Sequence, residues 1–410
     1  MYGPSLWIPL IADDYPNLAQ AQLYGSLSGL PALLHDALFR LRATSYWAMF
    51  LLWQAFHLRP LAYHATSLLL HIANTWLVYS VARTWPRMRP AGLWAAAYFA
   101  VQEGHQEAIM WSSAINELLM FFFGLGSLLC WMLAGSRERS RFPQLAGVVL
   151  FALALLSKES AVILLPLFWL AAPPAGNWRR WMTRMLPYVA LSVLAIASIA
   201  SARTYSFRFS DGSFSLDAPF WISWTRGFAR ILWIWGWASG AAIVLVSKEP
   251  NLGRAALRAL AWIGIALVPY SFLTYSTQIP SRQTYLASAG LCFLFGLAVA
   301  NLPARPVPAT PATRRKIVSA VVVLMLIHNI GYLWTKKRAQ FLQRAEPTEQ
   351  LIRLARETAG PIWVRCFPAP ALVAQEAVHL AAGRPPSSLI WSGSEAAQRK
   401  PTAIFCYQQR

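Results

Sequence analysis

Acidic side chains are scarce: Asp and Glu number 16 among 410 residues, against 36 Lys and Arg, for a net charge of +20. Charged residues of both signs make up only 13% of the chain while hydrophobic residues make up 57%, which excludes a soluble globular protein. The four cysteines show no CxxC or Cys/His spacing, so zinc and iron–sulfur centres are excluded. Internal repeats and low-complexity tracts are absent, and Ala304–Thr313 is a proline-rich linker. The positive charge sits in short clusters between apolar runs, and no basic helix or ribbon gathers it, so nucleic acid is not a partner.

What is present is a series of apolar runs. Residues 1–12 are too short to cross a bilayer, which takes roughly 20 apolar residues, and lack the basic start of a signal peptide. The acidic pair Asp13-Asp14 follows, and 18–42 reads as short helices in the interface. Trp47–His57 is apolar but short. Leu61–Ala82 is a full span on which His64, His71 and Asn74, at spacings of seven and three, share one face. Further spans are expected at 91–101, 116–134, 145–156, 160–172, 184–202, 226–246, 256–276, 283–301 and 317–335. The chain is thus expected to be an all-α polytopic membrane protein of about nine to eleven helices, some short or broken.

Basic clusters at Arg83/Arg87/Arg89, Arg137/Arg139/Arg141, Arg179/Arg180/Arg184, Lys248/Arg254/Arg258 and Arg305/Arg314/Arg315/Lys316 occupy alternate loops, which are therefore cytoplasmic. The remaining loops face outward: Asp13-Asp14, His105/Glu107, Ser157-Lys158-Glu159, the 203–225 segment with Asp211 and Asp217, and Ser281-Arg282-Gln283. This requires 145–172 to break at Ser157-Lys158-Glu159, where a lysine and a glutamate would otherwise lie at the bilayer centre. Lys336-Lys337-Arg338 falls outside against the charge rule, and binding to anionic headgroups is the reading offered for it. Residues 1–338 form the membrane domain, and 339–410 a small extracytoplasmic α/β domain. In that domain 348–358 and Ala371–Ala382 read as helices, and Ile362–Phe367 and Ala403–Tyr407 as strands. If those strands adjoin, Cys366 and Cys406 are placed to form a disulfide in an oxidising compartment; if they do not, both thiols are free.

The segment Gln102–Leu119 is the most informative. It sets His105, Glu107, Asn116 and Glu117 between two apolar runs, and an ionisable group near membrane depth needs a partner or a substrate to offset its desolvation. The alternative is a wet loop outside the bilayer.

Five elements in order carry a resemblance: Asp13-Asp14; Pro60…Tyr63-His64…His71…Asn74; His105-Gln106-Glu107-Ala108 with Trp111 and Asn116-Glu117-Leu118-Leu119; Leu156-Ser157-Lys158-Glu159; and Ser281-Arg282-Gln283-Thr284-Tyr285-Leu286-Ala287-Ser288. The chain resembles the C-type membrane glycosyltransferases over roughly residues 10–300. The nearest likeness is to bacterial relatives of protein O-mannosyltransferases and of the transmembrane tetratricopeptide-repeat O-mannosyltransferases. It departs from their patterns at Gln102-Glu103-Gly104, where a His-Pro is usual, and at Ile115, where an arginine is usual. The family's membrane helix ahead of the acidic pair is not found in residues 1–12, so either the start has been assigned too late or the chain begins outside.

The resemblance implies a polyprenyl-phosphate-linked sugar as donor and a protein, lipid or polysaccharide hydroxyl as acceptor. Asp13 or Asp14 is expected as general base in one inverting displacement, unlike the paired carboxylates of retaining glycosidases. Arg282 and Lys158 are candidates for the departing phosphate, with His105, Glu107 and Tyr285 beside them. Glu117, Asn116, Glu159, His64 and His71 support the site. A divalent ion, Mg or Mn, would be held by Asp14 and Glu107. Two other classes compete. A lipid-linked-sugar flippase predicts repeated halves and polar groups through the full membrane depth; a non-catalytic homologue predicts that the acidic pair is dispensable.

Overall fold

In the computed structural model the described residues are 1–37, 39–136, 141–174, 178–201, 214–246, 250–274, 278–301 and 311–408. Arg137, Arg139, Asp211, Lys248, Arg305 and most of the 304–313 linker lie outside them.

Seven helices among the described residues are long and apolar enough to cross a membrane. The helices run α1 (Asp14–Tyr24), α2 (Leu30–His35), α3 (Ala43–Phe56), α4 (Pro60–Thr84), α5 (Gly92–Val101), α6 (Gln106–Met110) and α7 (Ile115–Ser136). They continue as α8 (Arg141–Leu155), α9 (Leu164–Ala171), α10 (Trp178–Ser201), α11 (Phe220–Val246), α12 (Pro250–Leu267), α13 (Tyr285–Asn301) and α14 (Pro311–Tyr332). The expected break at Ser157-Lys158-Glu159 is present, between α8 and a 3-10 turn Glu159–Ile163 that leads into α9. The span expected at 256–276 ends early: α12 stops at Leu267, and Pro269 sits in the short 3-10 turn Val268–Tyr270 that follows.

The centre of the bundle is α13. Its span Ser281–Asn301 is 94% buried, whereas the other long helices keep a lipid-facing side. Small residues permit this. A Cβ on Gly290 would lie 2.6 Å from the Ala259 carbonyl oxygen, and one on Gly296 would lie 2.6 Å from that of Ala91, so two neighbouring backbones close directly onto α13. Trp85, Trp262 and Phe293 fill the space around it edge to face.

α14 does not end where a membrane helix would. It passes through a π turn, Leu333–Lys337, into α15 (Arg338–Glu357), so the helix expected at 348–358 is the tip of one continuous rod. Beyond it, β1 (Ile362–Cys366), α16 (Ala371–Ala382), β2 (Leu389–Ile390), α17 (Gly393–Arg399) and β3 (Ala403–Cys406) build a parallel sheet of order β2-β1-β3. The sequence reading missed β2, which is only two residues long, and α17. Leu351, Ala355, Ile362, Val364, Val378 and Phe405 form the core of this unit. Cys366 and Cys406 pair as a disulfide across β1 and β3, with Cα atoms 4.6 Å apart. A disulfide closing a loop of this size is worth about 2–4 kcal/mol. Alkylation of the denatured, unreduced protein is therefore expected to label Cys130 and Cys292 only; labelling of all four thiols would show that the bridge is not formed.

Candidate active site

The site forms at one end of the bundle, where the loops before α1, α6, α7, α9 and α13 meet and where α16 packs on α1. Arg87 and Arg258 face one another at the other end, among the basic loops.

The acidic pair is split. Ala12 has φ 43°, a left-handed conformation that costs a residue bearing a Cβ about 1 kcal/mol or more, and it turns the chain just before the pair. Asp14 is fully buried. One of its oxygens accepts the Ile11 N–H at 2.8 Å and the other accepts both the N–H and the hydroxyl of Ser113 at 2.7 Å. Burial pushes its carboxyl up to about 7, against these hydrogen bonds. Asp13 remains exposed, and its carboxyl feels the Arg282 guanidinium. The surrounding protein removes enough water to raise the Asp13 carboxyl, and Arg282 pulls it part of the way back.

Arg282 is set by the Gln102–Leu119 segment. Glu107 accepts its backbone N–H at 3.2 Å and approaches its guanidinium at 3.6 Å, while the guanidinium lies 4.7 Å over the Trp111 ring. Next to it Gln106 donates to Ser281 at 2.9 Å, and His105 reaches the Ser288 hydroxyl at 2.7 Å. Three consecutive residues thus clasp the turn ahead of α13. Ser288 gives its own proton to the Tyr285 carbonyl, so His105 Nε2–H is the donor to it, and burial holds that imidazole neutral.

Beneath this clasp the polar face of α4 is occupied internally. His71 donates to the Ala100 carbonyl at 3.3 Å and accepts the Tyr285 hydroxyl at 2.7 Å; Asn74 donates to the Leu118 carbonyl at 3.1 Å; His64 bonds the Ile8 carbonyl at 2.9 Å. The inward-facing stripe read from the sequence is present. Two phosphate candidates are corrected here, since His105 and Tyr285 are wholly buried in this network and hold the turn bearing Arg282 rather than facing a ligand.

Lys158 is corrected as well. It is buried in an ion pair with Glu117, its ammonium lies 4.8 Å over the Tyr270 ring, and the Tyr270 hydroxyl donates to the second Glu117 oxygen at 3.2 Å. Glu159 faces the other way and pairs with Arg42 at 3.1 Å. Asn116 is buried at the start of α7.

The sequence reading overlooked Trp111 as the seat of Arg282, and Arg42. It also overlooked a second charged group formed by Glu103, Arg230 and Lys337, in which both cations act on the Glu103 carboxyl. Glu103 and Lys337 belonged to stretches already singled out, the one in a motif and the other in the misplaced basic cluster; Arg230 has no local pattern to mark it.

Asp14 and Glu107 do not fit a divalent ion: the Asp14 oxygens are taken by three donors and Glu107 by Arg282. Among the described residues no three His, Cys, Asp or Glu side chains converge on such a site.

No family model matches the chain. Over 109 residues it is 36% identical to the protein O-mannosyl-transferase Tmtc1 of Drosophila melanogaster, a match covering 25% of this chain and 12% of that protein. Its structure is similar to apo ArnT from Cupriavidus metallidurans, with TM-score 0.54, 12% identity, and 97% of this chain and 86% of that one covered. ArnT bound to undecaprenyl phosphate matches at TM-score 0.51 and 13% identity, over 98% and 87%. The oligosaccharyltransferase AglB from Archaeoglobus fulgidus, in complex with an inhibitory peptide and a dolichol-phosphate, matches at TM-score 0.53 and 12% identity, over 95% of this chain and 62% of that one. At such identities the likeness is one of fold. The chain is an integral membrane protein with the fold of the C-type glycosyltransferases.

Proposed function

We propose that the chain is a membrane glycosyltransferase that moves a sugar from a polyprenyl-phosphate donor to an acceptor hydroxyl at the outer face of a bacterial cytoplasmic membrane. The observation that carries this reading is the division of labour in the acidic pair: Asp14 is consumed in tying the first loop to Ser113, and Asp13 is left exposed opposite Arg282. The acceptor oxygen attacks the anomeric carbon as Asp13 takes its proton; the bond from that carbon to the phosphate oxygen breaks, and the electron pair leaves on the phosphate. Arg282, over the Trp111 ring and beside Glu107, meets that charge with a bidentate fork. The step inverts the anomeric centre and is routed through no metal.

The structural neighbours support the donor class, since ArnT is bound to undecaprenyl phosphate and AglB is in complex with a dolichol-phosphate. A groove of about 480 Å³ at the site end, walled by Leu34, Leu41, Leu155, Leu191 and Leu194 with Arg40 at its edge, suits an isoprenoid tail. A flippase is disfavoured because the polar groups gather at one end while Trp85, Trp262 and Phe293 pack the interior beyond.

Purified protein given a polyprenyl-phosphate sugar and the envelope lipid, polysaccharide and protein fractions as acceptors is expected to consume donor. Arg282→Ala should raise the donor KM roughly 10- to 100-fold, the worth of charge-assisted hydrogen bonds, and leave the acceptor KM nearly unchanged. Transfer is expected to survive EDTA. An equal rise in both KM values would remove Arg282 from the donor phosphate.

A further inference from the structure

Lys336-Lys337 violates the distribution of charge in the rest of the chain, and the mechanism above makes no use of it. The structure gives it a place. Asn329 of α14 accepts the Glu103 N–H at 2.8 Å, which docks the last membrane helix on the segment that carries His105 and Glu107. Above Asn329 the same rod buries Leu333, Phe341 and Ala345 against Ile8, Ile11, Ile109 and Met110. With Asn329 those positions fall at multiples of four residues, and on a 3.6-residue helix a four-residue spacing drifts about 40° per step, so a regular helix would carry the stripe away from its partner. The π turn Leu333–Lys337, which winds more slowly, returns it. Lys337 falls between Leu333 and Phe341 on that inward face, half-buried, whereas Lys336 is exposed.

Around Lys337 stand Glu103, Glu107 and Arg230, all within electrostatic reach. Arg230 is anchored by donating one guanidinium nitrogen to the Ile279 carbonyl at 2.8 Å, two residues before the turn that carries Arg282. The Lys337 ammonium lies 5.5 Å from the Tyr332 ring centroid and donates to the Gln340 side-chain oxygen at 3.1 Å. Glu107 is thus flanked by cations from two sources, Arg282 ahead of α13 and Lys337 on the rod, and Arg230 of α11 stands beside Lys337 and Glu103. Among the described residues Arg282, Lys337 and Arg230 then stand with Asp13, Glu103 and Glu107, and the exposed Lys336 adds a further positive charge beside Lys337. Once Asp13 takes up the acceptor proton, the balance turns more positive as the phosphate gains charge.

We propose that Lys337, supported by Arg230, is a second phosphate-binding cation of the site, contributed by the last membrane helix and turned inward by the π turn. The proposal rests on the donor reading above. It assigns Lys337 and Arg230 to the lipid-linked phosphate, with Arg282 on the other side of Glu107.

Farnesyl phosphate is the probe, titrated into the full-length protein in detergent, with farnesol, inorganic phosphate and phosphatidylglycerol as separate arms. Lys337→Met is expected to weaken farnesyl phosphate binding roughly 10-fold or more, with farnesol unaffected, and Lys337→Arg to restore most of it. Lys336→Met should change the affinity less than about threefold, and unfolding midpoints should match the wild type, because the Lys337 hydrogen bond among the described residues goes to an exposed neighbour, Gln340. An unchanged affinity in Lys337→Met, an equal loss in Lys336→Met, or phosphatidylglycerol competing as well as farnesyl phosphate would each overturn the assignment. Wild-type binding with no dependence on Lys337 defeats this inference alone. Absence of wild-type binding defeats the donor reading and this inference with it.

Discussion

Asp13→Asn is expected to reduce sugar transfer by about 100- to 10,000-fold while the protein inserts and unfolds as the wild type does, because an amide of the same shape replaces an exposed base. The pH profile carries the same assignment. A base works deprotonated, so kcat/KM rises with pH through the Asp13 pKa, and burial places that limb above the ordinary carboxylate range. Arg282 opposes the shift, so Arg282→Ala should move the limb to still higher pH. Asp14→Asn should behave differently. An amide cannot accept from Ile11 and Ser113 at both of its ends, and a buried donor left without an acceptor costs about 1–3 kcal/mol, so the loss appears in the unfolding midpoint. Folded, Asp14 holds its proton up to about pH 7, against 3.8 when unfolded; its contribution to stability is full below 3.8 and is lost as the pH rises through 7. Asp14→Asn should flatten that part of the stability curve. Normal transfer by Asp13→Asn would end the base assignment.

The second large effect concerns the Lys158–Glu117 pair. Glu117→Ala leaves a buried ammonium without its hydrogen-bonded carboxylate, with the Tyr270 ring over it and Glu159 turned toward Arg42, and breaking a buried pair in this way costs about 3–5 kcal/mol. Replacing both residues by apolar ones, Glu117→Leu with Lys158→Met, should recover most of that loss, since neither charge then needs a partner. Thermal unfolding in detergent reads both variants. A double variant no more stable than Glu117→Ala would mean that shape, not the unpaired charge, sets the cost.

Much of this protein was legible along the chain. Span length and hydropathy located the membrane helices because an apolar run of sufficient length is a local property, and the break at Ser157-Lys158-Glu159 followed from the cost of burying two charges. The inward stripe of α4 followed from helical periodicity, as did α16. The pairing of Cys366 with Cys406 was left open by the sequence and closed by the parallel register of β1 and β3.

The roles within the site were decided only by tertiary structure. Asp13 and Asp14 are adjacent and chemically identical, and what separates them is Ser113, 99 residues from Asp14. Lys158 looked available for phosphate until α7 brought Glu117 to it, and His105 and Tyr285 until they met Ser288 and His71. Trp111 and Lys337 were marked along the chain, one in a motif and the other in a misplaced basic cluster, but not in these roles, because a stacking surface and an inward-turned lysine exist only where a second segment arrives. Desolvation and ion pairing fall off steeply with distance and depend on what fills the space around a group. The sequence therefore determines which residues have chemistry to offer, and the fold decides which of them still face a substrate.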